Sequence, residues 1–402
     1  MRASLVGVAL VVAVLVGFWA FVDGRSNSSP SDEGRSQADA HLSSPTEASR
    51  HRVSQAEETV AAAPGLPGGG IDARWTELNE RAIQALEAGE FESAVKLFEE
   101  CHEGEPSEPA FAANLAEALA RWARALQEVG EVGLEIPIAH LERALILAPG
   151  RSGLAGLLER WKKQALAEAE FWTDESLHFR FSYDGGRSDL LLRGYYQLSA
   201  ALEEAYGEFG QLFNHYPADP GKPKIRVVLY QRDEFQAVTG IGHWAGGVYD
   251  GVIRIPVADF DRQKEELMRI LRHELMHAFL RAVGGPEVPG WLNEGLAQWH
   301  EEVFLDRRAA DVQRARKRLQ GEELFPLERL HGSLATWTDE EDIARGYAQA
   351  LALTNFIARW YGEGTLYEMA EGVGKGKTCE EVFKLRIGVD LDAVVADLAA
   401  DL

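Results

Sequence analysis

Between Asp261 and Val283 the chain repeats apolar residues at helical spacing, and a carboxylate stands in the middle of the apolar face. With about 100° per residue, Leu267, Ile270, Leu271 and Ala278 all fall within roughly 60° of Glu274. A carboxylate there would be buried at a cost of several kcal/mol unless it has a partner. Its neighbours suggest one. His273-Glu274-Leu275-Met276-His277 is an H-E-x-x-H pattern, and four residues are one helical turn plus a small overshoot. Both imidazoles therefore leave the same face and can bind one ion. The chain has 2 cysteines, Cys101 and Cys379, far apart in sequence, so neither a disulfide framework nor a thiolate metal site is expected. A metal here must be held by His and carboxylate. Zinc suits neutral imidazole, and a catalytic zinc site takes three protein ligands with a fourth position left for water. That water is the partner Glu274 needs, and Glu274 can take its proton.

A third ligand is available in Pro289-Gly290-Trp291-Leu292-Asn293-Glu294-Gly295-Leu296-Ala297. A helix from Gly290 to about Phe304 would pack through Leu292, Leu296, Trp299 and Val303. Glu294 then points nearly opposite, beside Gln298 and Glu301. Taken alone, a Glu in a first helical turn is a solvated partner of the helix dipole. The small side chains of Gly295 and Ala297 let this helix approach a neighbour closely, which makes Glu294 the candidate third ligand. Tyr347, in a helix expected from Asp342 to Trp360, is either a hydroxyl donor to a tetrahedral oxyanion or a core aromatic. His243, His300 and His331 stand alone and read as structural or exposed.

The remainder sets the context for that site. At 402 residues the chain suggests two folded units plus tails. A net charge of −23 argues against nucleic acid, which needs clustered Lys and Arg. The uncharged apolar run Leu5–Val22 is long enough to span a bilayer, and its bulky exit favours an uncleaved anchor over a cleaved signal segment. Arg2 and the terminal amine would keep the short tail cytoplasmic and the bulk of the chain extracytoplasmic, in a bacterial periplasm or at the cell surface. If the segment is cleaved, the protein is secreted. Residues 23–72 are rich in Ser, Ala, Glu, Gly and Pro and read as a disordered linker.

From 73 to 170 the pattern is helical: Trp75–Ala88, a stretch opening at Phe91, another at Pro109, then Ile136–Leu147 and Leu154–Ala169. Helix, short turn and helix resemble a tetratricopeptide repeat, although Ala94 and Ala139 are spaced wider than its period of about 34 residues. A generic helical bundle is the other reading. From 171 to 402 the periodicity changes. His178–Tyr183 and Ile225–Tyr230 read as strands, Leu190–Phe213 as a helix between them, and Gly246–Ile255 as a hairpin or bulged pair around Asp250-Gly251. Helices follow: Asp261–Val283, Gly290–Phe304, Asp342–Trp360 and two short ones before Leu402. A few strands followed by helices predicts an α+β domain.

The H-E-x-x-H segment followed by Trp-Leu-x-Glu-Gly-Leu-Ala looks like the gluzincin-type peptidases, specifically the bacterial peptidase MA-like group. The Val-Val-Leu-Tyr strand, the Gly-Gly-Val-Tyr-Asp-Gly segment and the helix around Gly346-Tyr347-Ala348-Gln349 share the likeness, which spans roughly 178 to 402. The resemblance implies a thermolysin-like zincin domain of small sheet plus active-site helices. It implies one zinc ion (Zn2+) on His273, His277 and Glu294, with Glu274 as general base. One departure matters. Where thermolysin-type enzymes carry an acid four residues after the third ligand, this chain has Gln298, leaving Glu301 or a backbone carbonyl to orient a ligand His. The function implied is peptide-bond hydrolysis on a peptide or protein substrate, with the repeat-like helices presenting substrate or a partner protein. The alternative is a membrane-anchored adaptor whose peptidase-like domain binds without cleaving.

Overall fold

A computed structural model describes residues 11–13, 71–129, 133–187, 194–219, 222–239 and 246–402. Of the apolar run expected to be an anchor, only Val11–Ala13 is among these, as an extended strand (β1); the rest of that run and most of the linker lie outside them. Among the described residues no helix is long and apolar enough to cross a membrane. The described chain divides into two compact units, 71–166 and 167–402 with β1.

In the first unit the chain folds as helices α1 (Ala73–Glu87), α2 (Phe91–Gly104), α3 (Pro109–Val129), α4 (Glu135–Leu147) and α5 (Ser152–Glu168). These bounds follow the periodicity within a residue or two, because each helix carries an apolar stripe. Ala82, Leu86, Ala94, Val95, Phe98, Leu115 and Leu119 interlock in one core. Inside it Asn114 donates to Asn79 at 2.8 Å, so the buried amides satisfy each other.

The second unit is α+β. Its elements are β2 (Phe171–Glu175), β3 (Phe179–Asp184), α6 (Tyr195–Phe213), β4 (Ile225–Tyr230), α7 (Arg232–Thr239), β5 (Gly247–Tyr249), β6 (Ile253–Pro256), α8 (Phe260–Gly284) and α9 (Gly290–Glu301). Helices α10 (Leu305–Leu319), α11 (Glu340–Tyr361), α12 (Gly364–Gly374), α13 (Cys379–Ile387) and α14 (Leu391–Asp401) complete it. The sheet order is β1-β5-β6-β4-β3-β2. β3, β4 and β6 run parallel, with Phe179 opposite Ile225 and Val227 opposite Ile253. β2, β5 and β1 pair antiparallel to their neighbours. Alternation along β3 buries Phe179, Phe181 and Tyr183 against Leu198, Leu202 and Phe209 of α6. Asp250-Gly251 forms the β5–β6 turn, with Gly251 at φ 95°, a conformation that suits glycine.

Several features differ from the sequence reading. β2 and α7 were not anticipated. The expected helix from Gly290 to Phe304 ends at Glu301, and a separate α10 follows; its charge-rich sequence hides a stripe of Val312, Ala315 and Leu319. Three short helices, not two, precede Leu402. Val303, expected in a packed stripe, lies past the end of α9 and is 59% exposed.

The core gathers around α8. Asp259 caps its start by accepting from the Arg262 N–H at 3.2 Å, and the chain leaves it through Gly285 at φ 72°. Every residue from Ile270 to Leu280 is buried, because the sheet, α6, α9 and α12 surround that stretch. α9 in turn lies against α11, and Gly295 sets their separation. A Cβ there would meet Thr354 Oγ1 at 2.1 Å and the Ala350 carbonyl oxygen at 2.8 Å. Backbone cannot yield locally, so Gly295→Ala should push α9 away and cost about 1–3 kcal/mol. Thermal unfolding measures it, and an unchanged midpoint would show that the helix contact is looser than described.

Candidate metal centre

α8 delivers His273, Glu274 and His277 to one point in the core, and α9 delivers Glu294 to the same point from its first turns. His273 Nε2 lies 3.5 Å from Glu294 Oε2, and His277 Nε2 lies 3.8 Å from it. The two imidazole centroids are 4.8 Å apart, edge to face. One ligand atom from each of these three residues lies within 4.8 Å of the others. All three facing atoms are buried and have no hydrogen-bond partner among the described residues. Orphaned polar atoms in a core are costly, so their convergence requires a shared partner. Atoms about 2.0–2.2 Å from a tetrahedral zinc are roughly 3.3–3.6 Å from one another. The donor set fits such an ion and the His273–Glu294 spacing already matches it, while the wider separations to His277 would contract as the ligands close on a metal.

The back of each imidazole is fixed. His273 Nδ1 is 2.6 Å from Glu301 Oε2, and His277 Nδ1 is 3.1 Å from Asn293 Oδ1. An Nδ1–H donated to each oxygen leaves both Nε2 lone pairs facing the centre. Glu301 is itself 3.3 Å from Arg269, which lies 3.9 Å from Asp311 of α10. Of the two ways left open for orienting a ligand histidine, the structure has Glu301. Asn293 was missed: it differs from other first-turn polar residues only through the approach of α8. Gln298 takes a different part, its amide donating to the Glu294 carbonyl at 3.2 Å and the Tyr347 carbonyl at 3.1 Å, which staples α9 to α11.

Electrostatics follow from burial. Burial pushes Glu274 far above the usual carboxylate range; His273 opposes this and Glu294, Glu301 and Asp250 reinforce it. Both Glu274 oxygens are buried without a partner among the described residues. The Glu274 carboxyl abuts Gly247 of β5, where a Cβ would come within 3.0 Å of Oε1. Burial, with His273 alongside, pushes His277 well down, so its imidazole is neutral and able to ligate. Burial also opposes charge on His273, but Glu294 and Glu301 outweigh it and raise its pKa to about 10. The cation favoured on that nitrogen marks the same demand for positive charge that a metal would meet. Burial raises Glu294, while His273 and the Tyr347 hydroxyl, which donates to it, work the other way. Burial would raise Glu301 as well, yet Arg269 and His273 hold it below the ordinary value, so it stays ionised.

The structure thus brings together His273, Glu274, His277, Glu294 and Tyr347. His300 is buried elsewhere, its Nε2 2.9 Å from Tyr367 Oη, and burial pushes its pKa down to about 3, with Arg308 and Arg272 adding to the shift. His331 is exposed, 3.3 Å from Glu380. His243 lies outside the described residues.

Residues 218–400 match a family model described as the Peptidase MA superfamily. The match supports a peptidase MA-like fold for this part of the chain and points to a hydrolase of the peptidase class. No curated protein matches the chain.

If Glu301 orients His273, Glu301→Ala should weaken metal affinity by about 10–100-fold, and Asn293→Ala should act in the same direction through His277. Competition with a chromophoric chelator measures this, and an unaltered affinity in Glu301→Ala would remove it from that role.

Proposed function

We propose that this chain is a zinc-dependent peptidase in which His273, His277 and Glu294 hold one zinc ion and Glu274 is the general base. The observation that carries the reading is the set of buried ligand atoms, without partners among the described residues, beside a fully buried carboxylate in the same condition. A structural helix core has no reason to retain four such groups in one place. When bound there, zinc supplies Lewis acidity, which lets water act as a nucleophile near neutral pH and polarises a substrate carbonyl.

The chain's own residues do the rest. Glu274 takes the proton of the attacking water: a cation held beside it favours the ionised carboxylate that a base must be, and burial favours the protonated form that results. It returns that proton to the leaving amine. Tyr347, which stays protonated because burial raises its pKa well above normal, is the candidate donor to the oxyanion of the tetrahedral intermediate. Its present acceptor is Glu294, so it would have to turn from that carboxylate to the substrate. The N-terminal apolar segment would direct the domain to the extracytoplasmic side of a membrane, and tethering there would require Val11–Ala13 to leave their pairing with β5. The helices from 73 to 168 would act as a tetratricopeptide-like platform for substrate or a partner protein.

Metal analysis and peptide hydrolysis separate the roles. His277→Ala and Glu294→Ala should lose zinc and activity together. Glu274→Gln keeps the shape but cannot accept a proton, so it should retain about one equivalent of zinc while activity falls by about 10²–10⁴-fold. Near-normal turnover in Glu274→Gln would sink the mechanism, and a wild type without zinc would favour a binding module.

Tyr347→Phe removes one hydrogen-bond donor and nothing else of size. It should lower kcat by about ten- to a thousandfold with zinc content unchanged. An undiminished kcat would return Tyr347 to the core and to supporting Glu294.

A further inference from the structure

Away from the metal centre, α9, α10 and α11 enclose a cleft of about 460 Å³ whose polar lining is dominated by arginine. Arg308, Arg316 and Arg359 face it together with Trp299, Gln313 and Asn355. Convergence of three guanidinium groups in a chain of net charge −23 is a local reversal of sign. Their compensation within the protein is incomplete. Arg316 is paired with the Asp401 carboxylate at 2.9 Å and also donates to the Asp401 carbonyl. Arg308 stacks over the Trp299 ring at 4.8 Å and gives one N–H to the Glu302 carbonyl at 3.2 Å. Its Nε is buried and has no partner among the described residues. Arg359 is exposed on the last turn of α11, stacked on Trp360 at 5.2 Å, with no carboxylate within ion-pair distance among the described residues. The nearby Glu363 carboxylate is already occupied by Trp299 Nε1 at 2.9 Å and by the Tyr367 hydroxyl.

Three cations set against the Asp401 carboxylate and the neighbouring Glu363, whose donors Trp299 and Tyr367 are neutral, leave the cleft with a net positive charge of about one and with Arg359 outside any ion pair among the described residues. Guanidinium forks match phosphate oxygens in geometry as well as charge. Gln313 and Asn355 add amide donors that make no hydrogen bond to other described residues. The space exceeds what an inorganic ion needs, and Val312 gives one wall an apolar surface. We propose that this cleft binds the dianionic phosphate of a small organic phosphate ester. The site shares no residue with the metal centre.

The test uses the full chain, titrated calorimetrically with phenyl phosphate, with and without zinc. Saturable binding of one equivalent is expected, unaffected by zinc. Arg359→Gln should weaken it by about fivefold and R308Q/R359Q by at least about tenfold, the range for losing charge-assisted bonds. Because Arg308 also supports the Glu302 carbonyl, thermal unfolding accompanies the double variant, and exposed Arg359→Gln tests the site independently of folding. A parallel arm measures co-sedimentation with phosphatidylcholine vesicles containing phosphatidic acid. Binding to those vesicles alone, reduced by the same substitutions, would support the site and identify its phosphate as a lipid headgroup. Absence of binding to both probes would overturn the proposal, as would binding that neither Arg359→Gln nor the double variant reduces.

Discussion

A helix whose middle is enclosed on every side cannot carry two imidazoles and a carboxylate unless something offsets their desolvation, and α8 is such a helix. His273, Glu274 and His277 are each no more than 1% exposed. The cost of their burial organises the surrounding structure. The sheet supplies Gly247, which leaves room against Glu274; α9 supplies Glu294 and the two oxygens behind the imidazoles; α11 supplies the Tyr347 hydroxyl. Each neighbour is placed where it can address a charge, which is why the elements round α8 lie so close to it.

Much of this was legible from periodicity. Burial on an apolar stripe picked out Glu274, and helical spacing put His273 and His277 on one face. Gly295 and Ala297 announced the close approach that Gly295 makes against Ala350 and Thr354. Strand β4 has the bounds its β-branched run suggests, because Val227 and Val228 are buried between neighbouring strands where such side chains pack best. What failed to show was long-range or weakly apolar. α10 reads as a run of charges, and only Val312, Ala315 and Leu319 mark its inner face. β2 is short and pairs on one side only, so the polar residues at its centre face no packing demand that would leave a pattern. Asn293 becomes meaningful only when His277 arrives from another helix.

Gln298 illustrates how a departure from a family pattern redistributes work. The position four residues after Glu294 lies on the same face, where an acid could reach a ligand imidazole. The amide here instead ties two backbone carbonyls, one on α9 and one on α11. Orientation of His273 passes to Glu301, a further turn along and on the same side, since seven residues are nearly two complete turns. The ligand helix is thereby held at both levels: by Gln298 against α11 and by Glu301 against α8.

A carboxylate buried at that position creates an electrostatic requirement. A buried carboxylate tends to take up a proton, and a protonated Glu301 could present a donor to His273 Nδ1 in place of an acceptor. The imidazole would then turn its proton towards the centre and withdraw the lone pair that makes it a ligand. Arg269 prevents this by outweighing, together with His273, the effect of burial on Glu301. The Arg269 side chain is only 19% exposed, and its charge is shared between Glu301 and Asp311. Asp311 belongs to α10 and is in turn paired with Arg314, so the helix least visible in the sequence carries the outer part of the chain of charges that starts at a metal-facing histidine. Its polar composition is therefore an inner requirement at this point as much as a solvent-facing one: an apolar residue at 311 would leave Arg269 with one anion fewer, and Glu301 with a less firmly held cation.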